Sequence, residues 1–248
     1  YGTIEINMGS ITLYRGTDAR IVEMTIEERQ QYIKCCNLVI DNLHPLFKPL
    51  LQQVLVEKVL NGNKIYVNET LLETKYKELL NEKGGKYMYL NLSEKLMMLE
   101  CRNNNVGLYQ YNDLYLCAFK STAMNYAQRS YAGGEIGLNA YRLIQGYDII
   151  FSDTHKLEKN VSNAMDTIRE FAKEGNERPA IVTIEDVDIN YLSFEDGRPF
   201  NEYDKEQKLE RIFKHDYKFR YTKPIELSQC VVEPLTEELF YKIKENKV

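Results

Sequence analysis

The chain carries no excess of basic charge: 32 Lys and Arg stand against 37 Asp and Glu in 248 residues, a formal net charge of −5. No window forms the basic stripe that a nucleic-acid footprint needs, so charge makes nucleic acid an unexpected partner outside a local groove. Cysteine and histidine patterns of metal sites are also missing. Cys35, Cys36, Cys101, Cys117 and Cys230 are odd in number and contain no CxxC pair, and Cys35 and Cys36 are adjacent, which suits neither a zinc site nor a disulfide framework. They read as reduced core residues in a reducing compartment. His44, His155 and His215 are scattered without HExxH or HxH spacing, so no metal is expected. No apolar run approaches the length of a membrane span, and Tyr1 to Glu5 show neither a basic nor an apolar leader region, so the chain as given reads as soluble. It lacks an initiator Met, which leaves a trimmed leader open. Internal repeats and low-complexity tracts are absent too.

What is present is the material of a core. At 44% hydrophobic, 28% charged and 11% aromatic residues, the chain can fill one or at most two domains, which excludes disorder and small disulfide scaffolds. Ile4 to Tyr14 reads as two short strands around Met8-Gly9-Ser10, the second ending in Leu13 to Thr17. Thr25 with Glu28 forms a capping box, after which Ile26, Ile33, Cys36, Ile40 and Leu43 recur at helical spacing up to His44-Pro45. A second helix is expected over 46–60, stopped by Asn61-Gly62-Asn63, and a third after Thr70 and Glu73. Residues 25–100 thus read as a helical insertion or lobe, or equally as a separate small subdomain.

Beyond the lobe, Val106 to Phe119 reads as strand, turn at Asn112-Asp113, and strand, followed by a helix over 121–131. A short helix over 138–145 and an amphipathic one carrying Leu157, Val161, Ala164, Ile168 and Phe171 come next. The segments 179–184, 217–221 and 225–232 are strand-like, and 236–244 closes the chain as a helix. The charge-dense run Asp204 to Arg211 reads as a solvated helix face.

Three segments carry candidate chemistry. In Leu13-Tyr14-Arg15-Gly16-Thr17, Arg15 at a strand end offers a cationic fork for a phosphate or ribose, and Gly16 lets a ligand approach the backbone; a surface Arg before a turn is the plainer alternative. In Tyr115 to Ala127, two tyrosines with ten residues between them flank a strand-to-helix joint. Tyr115 and Tyr126 could sandwich a flat ring, with Ser121 and Thr122 supplying hydroxyls near the helix N-terminus, although 19 tyrosines make such spacing common and Ser121 can serve simply as an N-cap. The third segment, Glu226 to Pro234, is an edge strand with polar residues at its mouth.

In this order the segments resemble the ADP-ribosyltransferase superfamily. Arg15 and Phe119-Lys120-Ser121-Thr122-Ala123 are similar to the family's Tyr-Arg-Gly-like and Phe-x-Ser-Thr-Ser segments, apart from the final Ser. Tyr115 and Tyr126 match the tyrosine spacing of the branch that resembles diphtheria toxin and the poly-ADP-ribose polymerases, with Arg15 where that branch has His. About thirty residues carry the likeness.

The resemblance implies an α+β fold with a split mixed β-sheet as a single domain over 1–248, the helical insertion lying after the first strands. It implies NAD as substrate, bound by Tyr14, Arg15, Gly16, Thr17, Tyr115, Ser121, Thr122 and Tyr126, with Arg15, Gln229 and Glu226 as the catalytic set. The activity would be mono-ADP-ribosyl transfer with release of nicotinamide, to a protein or nucleic-acid acceptor. Further implications are a toxin or effector role, a cytoplasmic setting in the chain's own cell or a target cell, an antitoxin or inhibitor protein as partner, and no membrane.

The third motif departs from the family. Alignment on Val231-Val232 puts Gln229 where the catalytic carboxylate stands, and a Gln cannot supply the negative charge that stabilises an oxocarbenium-like centre. Glu226 faces opposite to Gln229 on a strand, Glu233 lies roughly 13 Å further along, and Glu185 is an alternative on an earlier strand. The other readings are a degenerate NAD- or nucleotide-binding module, an NAD glycohydrolase, an RNA 2'-phosphotransferase, which the acidic balance disfavours, and an unrelated α+β domain.

Overall fold

The computed structural model describes residues 10–52, 57–60, 63–66, 114–194, 198–215 and 218–246. The chain divides into two compact units, the first made of Tyr1–Met24, Tyr111–Gly134 and Lys173–Val248 and the second of Thr25–Gln110 and Glu135–Ala172. The strands near residues 4–8, the helix after Thr70 and the strand from Val106 lie outside the described residues.

The first unit is built on a six-stranded sheet of β1 (Ser10–Asp18), β4 (Leu114–Cys117), β5 (Pro179–Asp188), β6 (Leu192–Phe194), β7 (Lys218–Tyr221) and β8 (Cys230–Pro234), in the order β6-β7-β4-β1-β5-β8. Every neighbouring pair is antiparallel, so the α+β class stands while the expected mixed sheet is corrected. Helices α1 (Ala19–Glu23), α3 (Lys120–Ala127), α6 (Lys205–His215) and α7 (Glu237–Asn246) complete this unit.

Side chains alternate between the two sheet faces. One face carries Leu13, Leu116, Ile184 and Phe219, which join Phe194, Phe200 and Ile212 in the larger core. Phe194, Phe200 and Phe219 lie with ring centroids 5.3 to 5.6 Å apart, Phe200 edge-on to Phe219 and the other two pairs tilted, within the spacing at which aromatic rings attract. The other face carries Tyr14, Cys117 and Ile181, covered by Ala123 and Met124 of α3 and by Leu239, Phe240 and Ile243 of α7.

Both sheet edges are blunted. On β8 the Leu235 amide bonds the Pro179 carbonyl, 2.8 Å, so by alternation the position of Pro234 turns to the open side, where it offers no N–H. The three-residue β6 is met by a return of the chain, with an isolated bridge from Ser193 to Pro199 and the Phe194 amide on the Arg198 carbonyl, 2.9 Å.

Asp18 ties the end of β1 to its surroundings. Fully buried, its carboxylate accepts from the Arg20 amide (2.9 Å), from Arg20 Nε and Nη2 (2.8 and 2.7 Å), and from the Arg178 amide (3.0 Å). Burial alone would raise its pKa, but the Arg20 side-chain bonds and these amides outweigh it and hold the carboxyl below its ordinary value.

In the second unit, helix α2 (Ile26–Gln52) begins at the capping box read from sequence: Thr25 N–H donates to Glu28 Oε2 at 2.8 Å, and Glu28 N–H to Thr25 Oγ1 at 3.1 Å. The helix does not stop at His44-Pro45. Tyr32, Cys36, Val39, Ile40, Leu43 and Phe47 are buried in one stripe that continues past the proline, so packing outweighs the lost hydrogen bond. Ile26 and Ile33, expected on that stripe, are exposed.

The expected second helix over 46–60 is replaced by the end of α2 and a hairpin, β2 (Glu57–Leu60) with β3 (Asn63–Tyr66). Asn61-Gly62 between them is the residue pair a tight hairpin turn favours. Helix α4 (Glu135–Ile150) runs longer than the short helix expected, and α5 (Lys159–Phe171) buries Val161, Ala164, Met165 and Ile168, the face its sequence spacing marks. Phe171 stacks on Tyr32 at 4.7 Å, and Phe47 meets Phe151 edge-on at 5.1 Å.

Candidate functional site

The register of the sheet decides which candidate residues share a face. Tyr14 pairs with Cys117 on one side and Thr183 on the other, and Cys117 pairs in turn with Lys218. Residues directly opposite one another project to the same side, so Lys218, Cys117, Tyr14 and Thr183 form one row. Two residues along, Arg220 pairs with Tyr115, and Ile181 pairs with both Gly16 and Glu233. Tyr14, Gly16, Tyr115, Lys218 and Arg220 therefore belong to a single face.

Helix α3 lies on this face and brings Tyr126 to it. The helix follows β4 after Phe119, whose extended backbone serves as N-cap without a side-chain hydrogen bond, so Ser121 is the second helical residue rather than the cap. Ser121 and Thr122 are half-buried in the first turn. Ala123, Met124 and Ala127 point inward, whereas Tyr126 is 38% exposed with the Lys218 ammonium 5.3 Å from its ring centroid. Helix α3 ends at Ala127, earlier than the expected 131, and Ser130 Oγ donates to the freed Ala127 carbonyl at 2.7 Å.

Gly16 owes its role to this helix. A Cβ there would stand 1.8 Å from the Ala123 carbonyl oxygen and 2.4 Å from the Ala127 nitrogen, both backbone atoms. The missing side chain thus admits α3, where the sequence suggested access for a ligand.

Arg15 and Thr17 are not on this face. By alternation they project to the larger core, Arg15 opposite Val182 and Thr17 opposite Ala180, and Thr17 is buried. Tyr14 and Tyr115 thus leave the sheet on the face that α3 covers, and Arg15 leaves β1 on the other.

Gln229 and Glu226 are further away. Gln229 ends a 3-10 turn, Leu227–Gln229, where its Oε1 accepts from the Glu226 amide (3.3 Å) and its Nε2 donates to the Glu185 carbonyl (3.4 Å). That turn leads into the edge strand β8, and β5 and β1 lie between it and β4, a lateral separation of roughly 14 Å from Tyr115. The expected catalytic pair thus holds a loop closed at the sheet's far edge. Glu185 is exposed and borders the same loop.

Sequence reading missed the charges of this face. Lys218 and Arg220 alternate with Phe219 and Tyr221 in a period-two pattern that already marked one polar and one core face of the strand. Lys120, at the start of α3, forms an ion pair with Glu233 at 2.5 Å and lies 5.9 Å over the Tyr14 ring. Glu233 is thereby engaged by a cation, while Lys218 and Arg220 add positive charge around the two tyrosines.

No family model, no curated protein and no solved structure matches the chain. Among the described residues, no group of His, Cys, Asp and Glu is placed to hold a metal ion, and no helix is long and apolar enough to cross a membrane.

Proposed function

We propose that the first unit binds NAD on the face shared by Tyr14, Tyr115 and Tyr126, and that the chain is a mono-ADP-ribosyltransferase. The observation that supports this reading most is the convergence of β1, β4 and α3, which carry the first two family-like segments about a hundred residues apart, with α3 seated on Gly16. Tyr126 offers an exposed ring for stacking a flat heteroaromatic group, and Tyr115 approaches from the neighbouring strand.

In the transfer, the bond between ribose C1' and the nicotinamide nitrogen breaks and nicotinamide leaves with the electron pair. A nucleophile of a protein or nucleic-acid acceptor forms the new bond to C1' and loses its proton. Water in that role would give NAD hydrolysis. The protein's part is to hold the nicotinamide and ribose in a fixed, partly dry geometry, which lowers the cost of bringing the acceptor into line.

One observation favours a second reading, a nucleotide-binding module without transfer. Gln229 and Glu226 are held at the far edge, and on the described tyrosine face Glu233 is paired with Lys120, so no described carboxylate there stands ready to stabilise positive charge at C1'.

The test is nicotinamide release from NAD, with and without a cell extract as acceptor source, together with NAD binding by calorimetry. Release that Tyr115→Ala and Tyr126→Ala abolish, with label on extract components, supports transfer; Gln229→Ala should leave it unchanged. Binding without release supports the module, and absence of both refutes the NAD reading.

A further inference from the structure

We infer that Lys218 and Arg220 form the phosphate-binding part of the tyrosine face, and that its ligand is a nucleotide held by its diphosphate on β7. This rests on the reading of that face as a nucleotide site, and it moves the phosphate role from Arg15 to residues outside the family-like segments. Three observations carry it.

The first is direction. Arg15 leaves β1 on the core face, whereas Lys218 and Arg220 leave β7 on the face of Tyr115, opposite Cys117 and Tyr115 respectively. The second is spacing. Lys218 and Arg220 are two residues apart on one strand, roughly 7 Å along the same face, a span that one diphosphate bridges with oxygens on both cations. A planar Arg fork beside a Lys ammonium is a combination suited to phosphate oxygens.

The third is the aromatic setting. The Lys218 ammonium lies 5.3 Å from the Tyr126 ring centroid, and Arg220 is the cross-strand partner of Tyr115, so each cation neighbours one tyrosine. Both cations are half-buried, so their charge is less screened than that of a solvated lysine. A ring stacked at the tyrosines thus has phosphate-binding charge directly beside it.

The experiment is calorimetric titration of the full chain with ADP-ribose, inorganic pyrophosphate and nicotinamide, comparing wild type with Lys218→Gln and Arg220→Gln. Arg220→Lys keeps the charge should Arg220→Gln unfold, and circular dichroism checks each variant. Each Gln variant is expected to weaken ADP-ribose binding about tenfold or more, with pyrophosphate affected in parallel and nicotinamide unaffected. Arg220→Lys should retain part of the affinity, and wild-type binding should weaken steeply with salt.

Unchanged ADP-ribose affinity in folded Lys218→Gln, or in folded Arg220→Gln, would overturn the inference. If nicotinamide release persists in those variants, the transferase reading survives that failure. If ADP-ribose binding depends on both cations but NAD gives no release, the inference stands and transfer falls. Failure of wild type to bind ADP-ribose or pyrophosphate would overturn the inference outright.

Discussion

A methyl group added at Gly16 has nowhere to go. Its Cβ would sit 1.8 Å from the Ala123 carbonyl oxygen, 1.6 Å short of the 3.4 Å at which ordinary contact begins, and 2.4 Å from the Ala127 nitrogen. Both obstacles are backbone atoms of α3, so no side chain can swing aside. Either α3 lifts from the sheet or β1 bends, and the packing of Ala123 and Met124 on Cys117 and Ile181 is disturbed. Overpacking of this kind costs about 1–3 kcal/mol, and two backbone clashes place Gly16→Ala at the top, about 3 kcal/mol. For a chain of this size that is a fall of about 6–12 °C in Tm. Tyr126 moves with α3, so on the proposed reading of that face affinity for NAD should fall as well.

Differential scanning calorimetry with urea titration reads the stability loss. Gly175→Ala is the control: its φ of +84° strains an L side chain, but no atom lies within 4 Å of the added methyl, so the backbone term alone costs about 1–2 kcal/mol. A Gly16→Ala variant whose Tm stays within about 2 °C of wild type would refute the close seating of α3 and the site built on it.

Asp18→Asn should cost about 2 kcal/mol at neutral pH, because Arg20 and the Arg178 amide lose a charged acceptor. The folded-state pKa of Asp18 is lowered, so its stabilisation is complete above the unfolded carboxylate value and is lost as pH falls through the folded one. Urea midpoints of wild type and variant should converge below about pH 4, and a gap that stays constant to lower pH would contradict this assignment. Burial pushes the Cys36 thiol up to about 12, so peptide mapping after brief iodoacetamide treatment at pH 8 should find Cys36 unmodified in the folded chain and labelled after denaturation. Phe47→Ala should destabilise the second unit by about 3–5 kcal/mol in urea, since Phe47 is fully buried beyond Pro45; a loss under about 1 kcal/mol would show that α2 does not pack past the proline.

Local signals and local periodicity were enough for several features. The Thr25-Glu28 box fixes where α2 starts because both bonds lie within four residues, and the stripe of α5 is legible because one helix face repeats every three or four residues. The alternation in Lys218 to Tyr221 likewise shows a two-faced strand. Local rules failed where distant packing decided the outcome. Pro45 reads as a stop, yet the stripe from Tyr32 to Phe47 keeps the helix intact, and the helix expected over 46–60 gives way to the pairing of β2 with β3.

For the site, sequence order joins Arg15, the two tyrosines and Gln229 into one motif series, but proximity along a motif carries no information about sheet position. Only strand order and register put β5 and β1 between Gln229 and β4, and turn Arg15 away from the face that Lys218 and Arg220 share with the tyrosines. Residue type and spacing thus determine which segments are strands or helices and which chemistry they can offer. The pairing of strands a hundred residues apart determines which of those side chains meet, because a step of one residue or one strand exchanges the face and the neighbours of every group on it.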